Sequence, residues 1–235
     1  MKAASRTHIG NVRASNQDAL IVLPGTYGLY GVADGMGGHK AGDVASQMTV
    51  EVLGRMLKEA KPSEETLRRG VEEANLLVYE ASQNNFDYSG MGTTLTVIWE
   101  DKKRVLLGHV GDSRAYLLRR GEIRQISQDH SMVAELVRDG VITPEEALRH
   151  PYRNIITRAL GTSDTVDVDI LEMDKRRGDV YLLCSDGLSE YVTEEEIRDT
   201  LLHLPMEEAA DDLLNRALEG GGRDNISLVI AEVTA

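Results

Sequence analysis

The chain is poor in cysteine: of its 235 residues only Cys184 is one. No disulfide can form within the chain, and a lone thiol suits a reducing compartment. Its neighbours Tyr181, Leu182 and Leu183 read as a buried strand, so packing, not nucleophilic catalysis, is the expected role of Cys184. No apolar run of signal-peptide length follows Met1-Lys2, and none approaches the ~20 residues that span a bilayer. A cytoplasmic protein with no membrane segment in this chain is the expectation. Positive charge is also short: 26 Lys and Arg stand against 39 Asp and Glu, a net charge of −13. Binding to a nucleic-acid backbone needs a basic face, so no nucleic-acid partner is expected. Prolines are few and scattered, and neither internal repeats nor low-complexity linkers break the chain. One continuous domain over residues 1–235 is the simplest reading, with a monomer as the default. The last expected strand lies just before the final residue, which fits a whole protein and a catalytic portion of a longer one equally.

With 41% hydrophobic and 28% charged residues, the composition is that of a globular chain. Apolar runs at 18–23 and 27–33, separated by Pro24-Gly25, predict a hairpin. Helical spacing of apolar residues predicts helices over 43–58 and from Ser63, a candidate N-cap, to about 81. Period-two segments predict strands at 93–99, 104–110, 115–118 and 122–126. A polar, partly helical insert covers about 129–161. Strands at 166–171 and 180–184, helices at 194–202 and 206–218 and a closing strand at 225–233 complete the chain. Helical pairs between blocks of strand do not suit a regular βαβ array. They predict an α+β fold of four layers, α-β-β-α, in which an antiparallel β-sandwich is flanked by helical pairs.

Five aspartates fall at ends of predicted strands beside small residues: Asp18, Asp34, Asp112, Asp186 and Asp224. Taken singly, each Asp-Gly or Asp-Ser is an ordinary turn signal. Five recurrences point further, because strand ends hold side chains rigidly and converging carboxylates repel unless cations sit between them. Oxygen ligands without cysteine favour Mg²⁺ or Mn²⁺ over Zn²⁺. Gly35-Met36-Gly37-Gly38-His39 is not a Walker loop, since no Gly-Lys-Ser/Thr follows. Its glycines allow the backbone close to an ion; His39 is either a surface histidine before a helix or a group beside a metal. Arg13 is either a solvated arginine or a two-pronged phosphate clamp.

Together the motifs resemble a known family. Gly10-Asn11-Val12-Arg13-Ala14-Ser15-Asn16-Gln17-Asp18 and Val32-Ala33-Asp34-Gly35-Met36-Gly37-Gly38-His39 look like the opening motifs of bacterial type 2C (metal-dependent, PPM) serine/threonine protein phosphatases. Met91-Gly92-Thr93-Thr94, His109-Val110-Gly111-Asp112-Ser113-Arg114, Ser127-Gln128-Asp129-His130-Ser131, Cys184-Ser185-Asp186-Gly187-Leu188 and Gly222-Arg223-Asp224-Asn225 continue the match in the family's order.

The resemblance implies hydrolysis of phosphoserine and phosphothreonine in phosphorylated proteins by a hydroxide bridging two ions, opposing a bacterial serine/threonine kinase. It implies Mn²⁺ or Mg²⁺, two in the core site and a third beside it. Asp34 would bridge the two core metals and the Gly35 carbonyl would hold one. Asp186 and Asp224 would complete the other shell, Asp18 would act through metal-bound water, and Asp112 with Asp186 would hold the third ion. Arg13 would bind the substrate phosphate, His39 would be the general acid, and the 129–161 insert resembles the family's flap. Gln17 stands where a glutamate is common; an amide brings no charge there but still hydrogen-bonds a metal-bound water. Two other readings stay open: a binding module on the same fold with a degraded site, and a small-molecule phosphatase. Survival of Asp34, Asp186 and Asp224 speaks against the first, and the ordered motifs against the second.

Overall fold

Alternation along the strands sorts side chains to two faces, and both faces find apolar partners. The computed structural model describes residues 1–37 and 41–234. Its strands, in chain order, are β1 (Lys2–His8), β2 (Asp18–Leu23), β3 (Leu29–Met36), β4 (Gly92–Thr93), β5 (Leu95–Glu100), β6 (Arg104–Val110), β7 (Arg114–Arg119), β8 (Glu122–Gln125), β9 (Asp169–Asp174), β10 (Val180–Cys184) and β11 (Ile226–Glu232). The helices are α1 (Gly42–Leu57), α2 (Glu64–Asn84), α3 (Met132–Arg138), α4 (Pro144–Ala147), α5 (Asp186–Ser189), α6 (Glu194–His203) and α7 (Met206–Gly220). One sheet runs β1-β11-β10-β7-β8. The other runs β2-β3-β5-β6-β9, with β4 added beside β3. All the strand pairings are antiparallel.

Three apolar layers hold four structural layers together. Tyr30, Val32, Ile98 and Leu107 from one sheet meet Leu117, Tyr181, Leu183 and Val229 from the other, filling the sandwich. On the outside of the first sheet, Leu29, Ala33, Val97 and Trp99 pack on Leu53, Leu57, Leu67 and Val71 of α1 and α2. Outside the second, Leu182, Leu228 and Ile230 pack on Ile197, Leu213 and Ala217 of α6 and α7. Each fully buried Leu, Ile or Val contributes about 1.5–3 kcal/mol, against a backbone ordering cost of about 1–2 kcal/mol per residue. The expected four-layer α+β sandwich is therefore the observed one. Caps punctuate the helices as their sequences dictate: the Ser63 side chain accepts from the Thr66 N–H, and Thr193 forms a capping box with Glu196 ahead of α6.

The expected strand 93–99 is split into β4 and β5, the short α5 was not expected, and two further strands differ from the sequence reading. The strand expected at 166–171 forms three residues later as β9, because register with β6 places Asp169 opposite His109 and Asp174 opposite Arg104. Val166 and Val168 pack on the helical core instead. Strand β1 has no clear apolar alternation, and pairing with β11 alone makes it a strand. Among the described residues no helix is long and apolar enough to cross a membrane.

Candidate active site

Register puts the first two carboxylates side by side. Asp18 on β2 is the direct cross-strand partner of Asp34 on β3. Both share the parity of Leu20, Val22, Tyr30 and Val32, which point between the sheets. The two aspartates thus end the inter-sheet layer at one mouth of the sandwich. Asp186 follows β10 and Asp224 precedes β11, which are neighbours in the opposite sheet. Asp186 lies near enough to Asp34 for its charge to act on it. All five candidate aspartates are mostly buried, with a minor part of each still accessible.

Like charges opposite one another across a strand pair are unfavourable, and here burial adds to the penalty. Burial, then the charges of Asp186 and Asp224, pushes Asp18 up to about 7 despite hydrogen bonds from Ser227 and Ser185. Asp34 lies well above the ordinary carboxylate range, through burial and then Asp18, Asp186, Asp112 and Asp224. Burial followed by Asp224 raises Asp186 to about 6, and burial followed by Asp186 raises Asp112 to about 7. Asp18, Asp34, Asp112 and Asp186 are therefore each raised by burial and by at least one neighbouring aspartate. Oδ1 of Asp18 and Oδ1 of Asp186 are buried with no hydrogen-bond partner.

Divalent cations fit this donor set. Only oxygen is on offer, two buried carboxylate oxygens lack a donor, and cations would remove the mutual repulsion. Among the described residues no three His, Cys, Asp or Glu side chains are already closed into a cage around one point. Hard ions such as Mg²⁺ keep several waters and take one or two carboxylates each, so a closed protein cage is not required.

Backbone contacts hold the cluster. Asp34 N–H donates to Thr94 Oγ1 at 3.0 Å, Thr94 N–H to the Asp34 carbonyl at 2.8 Å, and Thr93 Oγ1 to the same carbonyl at 2.9 Å. Asp18 Oδ2 accepts from Ser185 Oγ at 2.9 Å, tying the two sheets together across the mouth. Asn225 staples the loop that carries Arg13: its Nδ2 donates to the Ile9 and Ser15 carbonyls at 2.9 and 3.0 Å, and its Oδ1 accepts from Gln17 N–H at 2.8 Å. The sequence reading assigned no role to Thr94, Ser185 or Asn225. Their only signal was membership of the quoted motifs.

Arg13 reaches the site, where its Nη2 meets Asp224 Oδ2 at 2.5 Å while half of the side chain stays exposed. His39 lies outside the described residues. Gly35 is wedged between the start of α1 and the Asp18 loop: its N–H donates to the Gln17 carbonyl at 3.1 Å, and a Cβ on it would collide with the Gly42 carbonyl. Gly35→Ala is therefore expected to separate β3 from α1, costing about 1–3 kcal/mol. A Mn²⁺ titration should then show binding weakened by roughly tenfold or more. Unchanged melting and unchanged Mn²⁺ affinity would remove Gly35 from the site.

The 129–161 insert is tied to the strand ends that bear the aspartates. Gly111, next to Asp112, donates its N–H to His130 Nδ1 at 3.0 Å and accepts from the His130 N–H at 2.8 Å. Leu160 exchanges both main-chain hydrogen bonds with Thr93, at 2.9 and 3.1 Å.

A layered sandwich whose buried acids call for divalent cations at one mouth, with an arginine beside them, defines a metal-dependent hydrolase. Residues 6–224 match the protein phosphatase 2C family. The chain is 40% identical over 241 residues to the serine/threonine phosphatase stp of Listeria welshimeri, covering 99% of this chain and 96% of that protein. It is 44% identical over 236 residues to the serine/threonine protein phosphatase PstP of Mycobacterium tuberculosis, spanning 99% of this chain but 45% of that longer protein. A crystal structure of the PstP catalytic domain in complex with two manganese ions superposes with a TM-score of 0.90 at 41% identity, covering 100% of this chain and 98% of that one. The chain belongs to the protein phosphatase 2C family, and its enzyme class is that of the serine/threonine protein phosphatases.

Proposed function

We propose that this mouth of the sandwich hydrolyses phosphoserine and phosphothreonine esters of proteins, with Asp34, Asp186, Asp224 and the Gly35 carbonyl holding two Mn²⁺ or Mg²⁺ ions. Asp18 supports them through water, and Asp112 with Asp186 takes a third. The observation that carries this reading is the buried cross-strand pair Asp18–Asp34 facing Asp186, with one oxygen of Asp18 and one of Asp186 left without a donor. When bound, such ions supply charge neutralisation on the phosphoryl group and a water acid enough to attack phosphorus near neutral pH.

The chain's own residues do the rest. Arg13, carried on a loop stapled by Asn225, holds two non-bridging oxygens of the phosphoryl group and fixes it for in-line attack. Its observed contact with Asp224 keeps the guanidinium at the rim of the site, one carboxylate away from the cluster. His39 donates the proton that the departing serine or threonine oxygen needs. An aryl phosphate, whose leaving group needs less protonation, should suffer less from His39→Ala. The 129–161 segment forms a flap over the substrate, its outer surface exposing Val141, Leu148 and Tyr152.

We take the enzyme to act as a monomer in the cytoplasm, on substrates phosphorylated by a bacterial-type serine/threonine kinase. The single buried thiol of Cys184 is compatible with that compartment.

Phosphate release from a phosphothreonine peptide, assayed with Mn²⁺ and with EDTA, tests the proposal. Release with metal and none with EDTA is expected. Arg13→Ala should raise KM by about 10- to 100-fold, the range for losing hydrogen bonds to a charged group at about 1.5–3 kcal/mol. No release under either condition from folded protein would overturn the reading.

A further inference from the structure

Positive charge gathers where the net charge of −13 gives least reason for it. At the far end of the second sheet, Arg119, Arg120, Arg124 and Arg176 line a surface cavity of about 420 Å³, with Glu122 as its one carboxylate. The cavity is remote from the aspartates. Arg114 pairs with Cys184 at the active-site end of β7 and β10, while Leu118 pairs with Val180 at this end. Four residue steps of strand at about 3.3 Å each put roughly 13 Å between the two pairs.

The two segments that carry these arginines are fastened to each other through Asp179. Asp179, only 2% exposed, receives Arg119 Nε and Nη2, both at 2.7 Å. Arg119 Nη2 also donates to the Asp174 carbonyl at 2.7 Å, and Asp179 Oδ2 accepts the Arg176 N–H at 2.8 Å. One buried carboxylate thus locks both segments that carry the arginines, yet it balances one guanidinium of the four. Arg120, Arg124 and Arg176 have no ion-pair partner among the described residues.

Backbone conformation adds a second sign. Arg120 and Gly121 form the two-residue turn between β7 and β8, with φ of 57° and 83°. Among the described residues Arg120 is the one non-glycine with positive φ. Such turns prefer Asn-Gly or Gly-Gly, because a Cβ is strained there. An arginine at this position accepts that strain and in return projects a guanidinium over the cavity.

Guanidinium groups gathered around one cavity, with three of them unpaired among the described residues, suit phosphoryl oxygens as ligands. A cavity of this volume has the size of a small-molecule site. We propose that it binds a small anion bearing phosphoryl groups, at a location separate from the hydrolytic site. The role would be that of an effector site on this phosphatase.

Equilibrium dialysis of radiolabelled inorganic pyrophosphate against the whole protein in EDTA tests this. Wild-type and Arg13→Ala proteins are expected to bind one equivalent alike. An Arg120→Gly/Arg124→Ala/Arg176→Ala variant should bind at least about tenfold more weakly. The glycine relieves the turn, so this variant should melt no lower than wild type. Equal binding by wild type and the triple variant would overturn the proposal, as would loss of binding in Arg13→Ala alone. Equal binding of citrate at matched ionic strength would overturn the phosphoryl specificity. A phosphothreonine peptide binding more tightly than pyrophosphate at these arginines would replace the small anion with a docked substrate segment.

Discussion

Asp34→Asn is expected to remove turnover and leave the fold standing. The main chain at this position is held by Thr93 and Thr94, whose hydrogen bonds go to the Asp34 N–H and carbonyl and not to its carboxylate. An asparagine keeps all three and matches the aspartate in size. What disappears is one negative charge at the centre of the cluster, where burial and four other aspartates already press on it. A neutral amide is a poor ligand for a hard cation, and the substituted site cannot pair a bound ion with the charge it needs. The rate should fall on the order of a thousandfold or more, about 4 kcal/mol of transition-state stabilisation. The protein without metal should melt higher than wild type, since a buried like charge has gone. Near-full phosphate release at saturating Mn²⁺ would sink the role given to Asp34.

Metal removal should make stability fall as pH rises. Asp18 and Asp112 are pushed up to about 7, Asp186 to about 6, and Asp34 lies well above its ordinary value. An unfolded aspartate titrates near 3.9. Between those values the folded protein holds protons that the unfolded chain has released, so raising pH favours unfolding. This stability is fully present below about pH 4 and is lost through pH 6–7 and above. Asp101, Asp169 and Asp212 are shifted the other way, each lowered by hydrogen bonds from neighbouring groups that outweigh its burial. Their contribution is present above about pH 4 and fades below it, which sets an acid limb.

In EDTA the melting temperature at pH 8 is expected to lie roughly 5–10 °C below that at pH 5. Mn²⁺ should abolish or reverse the difference, because cations bind the ionised carboxylates. A scan in EDTA showing the protein more stable at pH 8 than at pH 5 would mean that the aspartates do not crowd as described. In Asp34→Asn the slope should flatten, which separates this cause from any general effect of net charge.

Much of the architecture was legible in local pattern. The strands Asp18–Leu23, Arg104–Val110 and Val180–Cys184 coincide with their apolar runs, and Ser63 caps the helix it was expected to cap. Strand β1 was not legible, since Lys2–His8 becomes extended only by pairing with β11 more than two hundred residues away. Strand β9 was misplaced because apolar content marked Val166 and Val168, while hydrogen-bond register with β6 chose Asp169 to Asp174.

The site divides along the same line. The sequence by itself determined which residues are candidates for chemistry: aspartates at strand ends beside small residues, an arginine ahead of the first of them, oxygen donors with no thiolate partner. Local rules suffice for that, because strand period, turn residues and ligand type are properties of neighbours in the chain. Only the tertiary structure decided that Asp18 lies opposite Asp34, that Asp186 reaches Asp34 across the sandwich, and that Asn225 fastens the Arg13 loop. It alone set Arg176 beside the Arg120 turn over a buried Asp179. Carboxylates and guanidiniums interact over a few ångströms of space whatever their separation along the chain, so their pKa values, their repulsion and their ligands are fixed by strand register and sheet packing.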